Sequence, residues 1–224
     1  MTASVILKRN LFVAGIVRLA AKAFLFPFFR MNVSGADNLP ENGAFVLLPR
    51  HQRWEDIPLI AISVKRPLYY IAKQELFDSF IIKRFISMVG GIPLDRKRPA
   101  RNRNTCSSLL QKLSDGEGVV LFPEGTYYKD QIGKGHPGMI RYVYENVDTL
   151  FVPAGIEYIK QKYRADVRIN IGNPLRGADF KDSQLLFATI MSQIAQLSGL
   201  RDNILFKELR DNHEEGKKYF YNNR

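Results

Sequence analysis

The sequence predicts an α/β fold, a mixed sheet covered by helices, with an N-terminal membrane-associating helical segment. Three observations carry this expectation. Apolar runs at residues 44–48, 68–72, 119–122 and 150–156 read as buried strands. Between and after them, residues 76–89, 104–113 and 183–197 carry helix signals. Residues 5–30 are apolar with recurrent cations. A chain of 224 residues suits one domain with a sizeable core, here residues 31–224, with residues 1–30 as an appendage.

The first segment has neither an uninterrupted apolar core nor a small-residue cleavage site, so it does not read as a signal peptide. A spanning helix would enclose Arg18 and Lys22. The segment fits the bilayer interface, with an apolar face in the acyl boundary and its cations near headgroups. Phe24, Phe26, Phe28 and Phe29 around Pro27 would form an aromatic wedge at its end. Packing of the same helix against the core is a second reading, compatible with the first.

Residues 32–35 read as a short strand and residues 39–43 as a turn. The strand at 44–48 leads into Pro49-Arg50-His51-Gln52-Arg53-Trp54-Glu55-Asp56-Ile57-Pro58, after which a helix is expected near 57–64 with Pro58 in its first turn. The next strand ends at Lys73. Residues 76–89 place Phe77, Phe80, Ile81, Phe85 and Met88 on or near one helical face. Gly90–Arg96 reads as a short strand running into a basic loop, 97–103, before the helix at 104–113. A turn at 115–118 opens the strand at 119–122, which ends in Pro123-Glu124-Gly125-Thr126-Tyr127-Tyr128. A glycine-rich basic loop follows, through Gly138. Residues 166–172 read as an alternating edge strand, residues from Ser183 as an amphipathic helix, and the charged tail as a solvated helix that frays.

His51 and Asp56 are five residues apart. In a continuous helix they would stand about 140° apart, on different faces. If the helix starts only near Asp56, the intervening loop can fold the carboxylate onto the imidazole, fixing its tautomer and strengthening the other nitrogen as a base. An exposed loop histidine beside a helix-capping aspartate fits the stretch equally well. Glu124, at a strand end, is placed to accept hydrogen bonds from hydroxyls, and Thr126 and nearby amides to donate to anions. Thirty-three Lys and Arg against 22 Asp and Glu leave a charge of +11, which favours an anionic partner: nucleic acid, an anionic membrane surface or a phosphorylated substrate. Cys106 is the one cysteine, so the chain forms no internal disulfide and suits a reducing compartment. His51, His136 and His213 are far apart, and no metal-ligand cluster is expected.

Four blocks now stand in order: His51-x4-Asp56, Gly91-Ile92-Pro93-Leu94-Asp95-Arg96, Phe122-Pro123-Glu124-Gly125-Thr126 and Val152-Pro153-Ala154-Gly155-Ile156. Together they closely resemble the glycerolipid acyltransferase family that includes the 1-acyl-sn-glycerol-3-phosphate acyltransferases, over roughly residues 30–175. The resemblance implies that residues 31–224 form an acyltransferase domain. Its reaction would move a fatty acyl group from acyl-CoA or acyl carrier protein to the free hydroxyl of lysophosphatidate, without a metal or a tightly bound cofactor. His51 would be the general base, held by Asp56, and no acyl-enzyme would form. Arg96 would hold the acceptor phosphate and Glu124 the glycerol, with Gly125 and Thr126 shaping that pocket. The fourth block would line the donor or acyl channel, and Lys73 is a further candidate site residue.

Two departures from the family pattern stand out. Arg50 replaces the usual Asn before the histidine, and Tyr127-Tyr128 replace the usual Arg-Ser after Thr126. The lost arginine would be made good by Lys129, Lys134, Arg53 or the 97–103 cluster, or else the acceptor is a lysophospholipid or other lyso-lipid with a larger headgroup. A rival of another class is a non-catalytic basic nucleic-acid-binding protein. The aromatics, however, sit in apolar runs rather than interleaved with Lys and Arg, so no nucleic-acid partner is expected. The expected location is on an anionic membrane surface at the cytoplasmic face.

Overall fold

Ala44–Leu48 carries no polar side chain, and a strand of that kind needs cover on both faces. The structure, a computed structural model, describes residues 9–98 and 102–200. The start of the amphipathic segment, the centre of the basic loop and the charged tail lie outside the described residues. The elements are α1 (Leu11–Leu25), β1 (Phe29–Ser34), β2 (Phe45–Pro49), α2 (Asp56–Ser63), β3 (Tyr69–Lys73), α3 (Phe80–Met88), β4 (Gly91–Leu94), α4 (Arg103–Ser114), β5 (Gly118–Val120), α5 (Gly138–Asn146), β6 (Leu150–Ile159), β7 (Ala165–Ile171), β8 (Leu175–Arg176) and α6 (Ser183–Leu197).

The strands form one sheet in the order β1-β7-β6-β2-β5-β3-β4, with β8 paired to the start of β6. From β6 to β4 all neighbours are parallel. β7 is antiparallel to β6 and parallel to β1, so the sheet is mixed. The pleat divides the apolar runs between two cores. Phe45, Leu47, Val120 and Phe122 pack beneath α1 and α2, while Val46, Leu48, Val119 and Leu121 pack beneath α4, α5 and α6. Each fully buried leucine of this kind contributes about 1.5–3 kcal/mol. Helix α6 starts on the Asp182 carboxylate, which accepts from the amides of Gln184 and Leu185. Its far end closes directly onto β6. A Cβ at Gly155 would lie 2.2 Å from the Leu197 carbonyl, so only glycine fits there.

Three expectations change. Residues 166–172 are not an edge strand: β7 is paired on both sides and β1 takes the edge. Its alternation arises because Val167, Ile169 and Ile171 are buried while Arg168 on the other face meets solvent. The stretch 76–89 divides into a 3₁₀ turn, Gln74–Phe77, and α3. Phe80, Ile81, Ile82 and Phe85 of α3 point to solvent, the first two nearly four-fifths exposed. Finally, the boundary at residue 30 cuts into the sheet, since Phe29 and Arg30 already belong to β1. Phe29 packs edge-on to Tyr158 at 6.0 Å, whereas Phe24, Phe26 and Phe28 remain exposed.

Helix α1 has one exposed apolar face and one face packed on the fold. Leu11, Phe12, Ile16 and Leu19 are exposed. On the inner side Arg18 caps the C-terminal end of α2, donating to the carbonyls of Ile62 (3.4 Å), Lys65 (3.0 Å) and Val64. Arg9 pairs with Glu117 at 3.0 Å and stacks over Tyr69 at 4.3 Å. No helix among the described residues is long and apolar enough to cross a membrane. Because charged hydrogen bonds of the Arg18 type contribute about 1.5–3 kcal/mol, Arg18→Ala should lower the exchange protection of α1 amides by about tenfold or more. Hydrogen-exchange mass spectrometry should find β2, β5 and β6 unchanged; equal loss in those strands would show that α1 does not open on its own.

Candidate active site

The sequence-predicted site residues come together at one edge of the sheet. β2, β3, β4 and β5 are parallel, and their carboxyl ends deliver His51, Lys73, Arg96 and the Glu124–Thr126 turn to the same side. Ligands of open α/β sheets bind at such an edge, beyond the strand ends.

Helix α2 begins at Asp56, so residues 51–55 are loop and the carboxylate folds back over them. Asp56 is fully buried. Its Oδ2 accepts from the amides of Gln52 (2.5 Å) and Arg53 (2.7 Å) and lies 3.2 Å from His51 Nδ1. Its Oδ1 accepts from the Tyr158 hydroxyl at 2.6 Å. Burial, and next the Asp56 charge, hold the Tyr158 phenol well above its ordinary range, so it stays a donor. An ionised carboxylate can only accept, so Nδ1 carries the imidazole proton and Nε2 keeps a free lone pair. The ring lies between Phe122, stacked at 4.0 Å, and Tyr127, edge-on at 4.5 Å.

His51 borders an apolar cleft of about 500 Å³ that runs beneath α1, between α2, β3 and α3. Lys73, Arg96, Gly125, Thr126 and Tyr127 share its lining. Burial lowers the Arg96 guanidinium, and Glu75 opposes that shift. Gly125 adopts φ +71°, and a Cβ there would lie 2.5 Å from His136 Cδ2 and 3.6 Å from Arg96 Nη1. The imidazole of His136 and the guanidinium of Arg96 therefore flank one glycine.

Two expected contacts are built differently. Glu124 does not face the cleft. It is 1 % exposed, and its carboxylate accepts from the amides of His51 and Gly133, both at 2.8 Å. Burial raises its pKa and these two amides oppose the rise. Glu124 thus ties the His51 loop to the loop after β5, because the tight turn at Pro123–Gly125 aims it inward. The block 152–156 does not line the cleft either. It is the buried centre of β6, whose carbonyls take up the His51 loop: Ala154 accepts from the Arg50 amide (2.9 Å) and Ile156 from Gln52 Nε2 (2.6 Å). Arg50 itself is buried, its guanidinium donating to the carbonyls of Tyr128 (3.4 Å) and Lys129.

Sequence reasoning passed over Tyr158 and His136 as site residues. The first sits in a strand and gives no local signal. The second follows Lys134-Gly135, and only the fold brings it to Arg96. Of the cations proposed to replace the missing arginine, Arg53 stacks on Tyr158 at 4.4 Å and is committed there.

The Acyltransferase family model matches residues 30–157, more than half of the chain. The chain is 33 % identical over 116 residues to the chloroplastic 1-acyl-sn-glycerol-3-phosphate acyltransferase of Arabidopsis thaliana, a match covering 51 % of this chain and 32 % of that one. It is 26 % identical over 161 residues to the 1-acyl-sn-glycerol-3-phosphate acyltransferase of Bacillus subtilis, covering 67 % of this chain and 76 % of the relative. The chain thus spans about a third of the plant relative's length and three-quarters of the bacterial one's. Its fold is similar to the crystal structure of the 1-acyl-sn-glycerophosphate acyltransferase PlsC of Thermotoga maritima, with a TM-score of 0.67 and 22 % identity over 89 % of this chain and 80 % of that one. With the family's model covering the strands and loops that assemble His51, Asp56 and Arg96, this chain belongs to the acyltransferase family.

Proposed function

We propose that this protein transfers a fatty acyl group from acyl-CoA or acyl carrier protein to the free hydroxyl of lysophosphatidate at the cytoplasmic face of a membrane. The observation that carries the reading is an imidazole whose Nδ1 lies 3.2 Å from the buried Asp56 carboxylate, bordering an apolar cleft that Arg96 also lines. His51 Nε2 removes the proton of the acceptor hydroxyl as its oxygen attacks the thioester carbonyl. The tetrahedral intermediate then expels the thiolate, which recovers a proton from the imidazolium. The thioester is a co-substrate, and no resident cofactor enters the step. The apolar cleft suits an acyl chain. Helices α1 and α3 border it, and we assign their exposed faces to the bilayer from which the acceptor comes.

The phosphate of the acceptor is assigned to Arg96, with His136 across Gly125 as the second donor in place of the family's arginine. Tyr127 favours a second reading. It lies edge-on to His51 within the cleft, where a larger lyso-lipid headgroup would meet an aromatic wall rather than a cation.

General-base catalysis contributes about 10²- to 10⁴-fold, so His51→Ala should lose turnover by that order with its circular dichroism unchanged. Asp56→Asn should fall comparably, since the amide no longer balances the imidazolium. Near-normal acyl transfer by purified His51→Ala would overturn the mechanism.

Arg96→Ala should raise the acceptor KM about ten- to a hundredfold while leaving the donor KM within a few-fold. His136→Ala should do so more weakly, and His136→Arg should restore it. Steady-state kinetics with varied acceptor decides this. Tyr127→Arg separates the two acceptor readings: tighter lysophosphatidate binding favours the phosphomonoester, weaker binding the larger headgroup.

Exchanging Phe12 and Phe80 for Ser removes one exposed ring from each bilayer-facing helix. Liposome sedimentation should then weaken by about tenfold or more. Unchanged sedimentation would dissociate these helices from membrane contact.

A further inference from the structure

A second concavity, about 900 Å³, lies on the other side of α1 from the cleft. It is bounded by the C-terminal end of α1, the start of β1 and the turn at 160–164 that joins β6 to β7. Since β6 runs parallel to β2, that turn stands at the same sheet edge as His51.

Four cations from three parts of the chain line this groove: Lys22, Arg30, Lys162 and Arg164. Among the described residues none of the four forms an ion pair. The carboxylate present, Asp166, accepts from Gln161 Nε2 at 3.3 Å. Arg164 is held in place. Its guanidinium lies 4.6 Å over the Phe26 ring and donates to the Phe29 carbonyl at 2.7 Å, while its Nε is shielded from solvent without a partner. Phe26 and Tyr163 stand exposed at the rim, 65 % and 86 %. Cations meet phosphate through charge-assisted hydrogen bonds, and aromatic rings favour the zone where a bilayer turns from apolar to wet.

We propose that this groove binds the phosphate headgroup of an anionic phospholipid in the bilayer on which the protein works. The proposal rests on the reading that the protein acts at a membrane, but not on His51 chemistry or on the identity of the acceptor. The groove and the cleft are separated by α1, so a bound headgroup would orient the helix that roofs the cleft without occupying the site.

The test compares two doubly charge-reversed full-length variants. Arg30→Glu/Lys162→Glu alters the groove. Arg141→Glu/Lys181→Glu changes the net charge equally on α5 and on the loop that leads into α6, two helices that cover the opposite face of the sheet. Binding is measured to neutral phosphatidylcholine vesicles and to vesicles containing phosphatidylglycerol. The groove variant should bind the anionic vesicles about tenfold or more weakly than the control variant, and the neutral vesicles as wild type does. Its turnover of a soluble short-chain lysophosphatidate should be unchanged. His51→Ala should keep the wild-type preference for anionic vesicles, which separates failure of the groove from failure of the catalytic reading. Equal losses in both charge-reversed variants would reduce the effect to net charge and overturn the proposal. Wild-type vesicle affinity in the groove variant would also overturn it. If the reversed pair fails to fold by circular dichroism, Arg30→Gln/Lys162→Gln replaces it, with a smaller loss confined to anionic vesicles and the same two overturning results.

Discussion

The burial of Asp56 is the constraint that shapes the site. Taking a carboxylate out of water costs several kcal/mol, and only a full set of donors offsets it. Two amides, a phenol and an imidazole supply that set here. Each donor fixes something else: the amides set the conformation of residues 52 and 53, Tyr158 links α2 to β6, and His51 is left with a single tautomer. Glu124 repeats the principle from the other side, spanning the amides of His51 and Gly133. His51 is therefore held by two buried carboxylates, Asp56 on its ring and Glu124 on its backbone amide.

How much of this was legible from residues alone differs by element. β2, β5 and β6 were readable because two-sided burial removes polar side chains, and that leaves an unmistakable apolar run. The His51–Asp56 contact was readable because a helix start near Asp56 is a local property. The place of β7 was not. Its partner β1 lies more than a hundred residues earlier, as the hydrogen bond from Ser34 to Asn170 illustrates. The outward face of α3 was not legible either, since an amphipathic period states that one face is apolar and not what covers it. Glu124 is the clearest case. Its type and its position at a strand end fit a hydroxyl ligand, and the amides that hold it inward come from His51, far back in the chain, and Gly133, nine residues on.

Helix α1 has a double allegiance. Arg9 and Arg18, which looked like headgroup cations, are spent on Glu117 and on the carbonyls ending α2, while apolar side chains face outward. A helix tethered by its cations and exposed through its leucines and phenylalanines roofs the cleft without being part of either core's centre.

The two departures from the family pattern touch each other. The Arg50 guanidinium caps the carbonyls of Tyr128 and Lys129, and the Tyr128 amide donates back to the His51 carbonyl. Both acceptors are main-chain carbonyls, so replacing Arg50 would break these bonds, whereas changing the side chains at 128 and 129 would leave their acceptors in place. The two segments are thus sutured through main-chain acceptors, a seam indifferent to which side chains stand at 128 and 129 and sensitive to loss of the guanidinium.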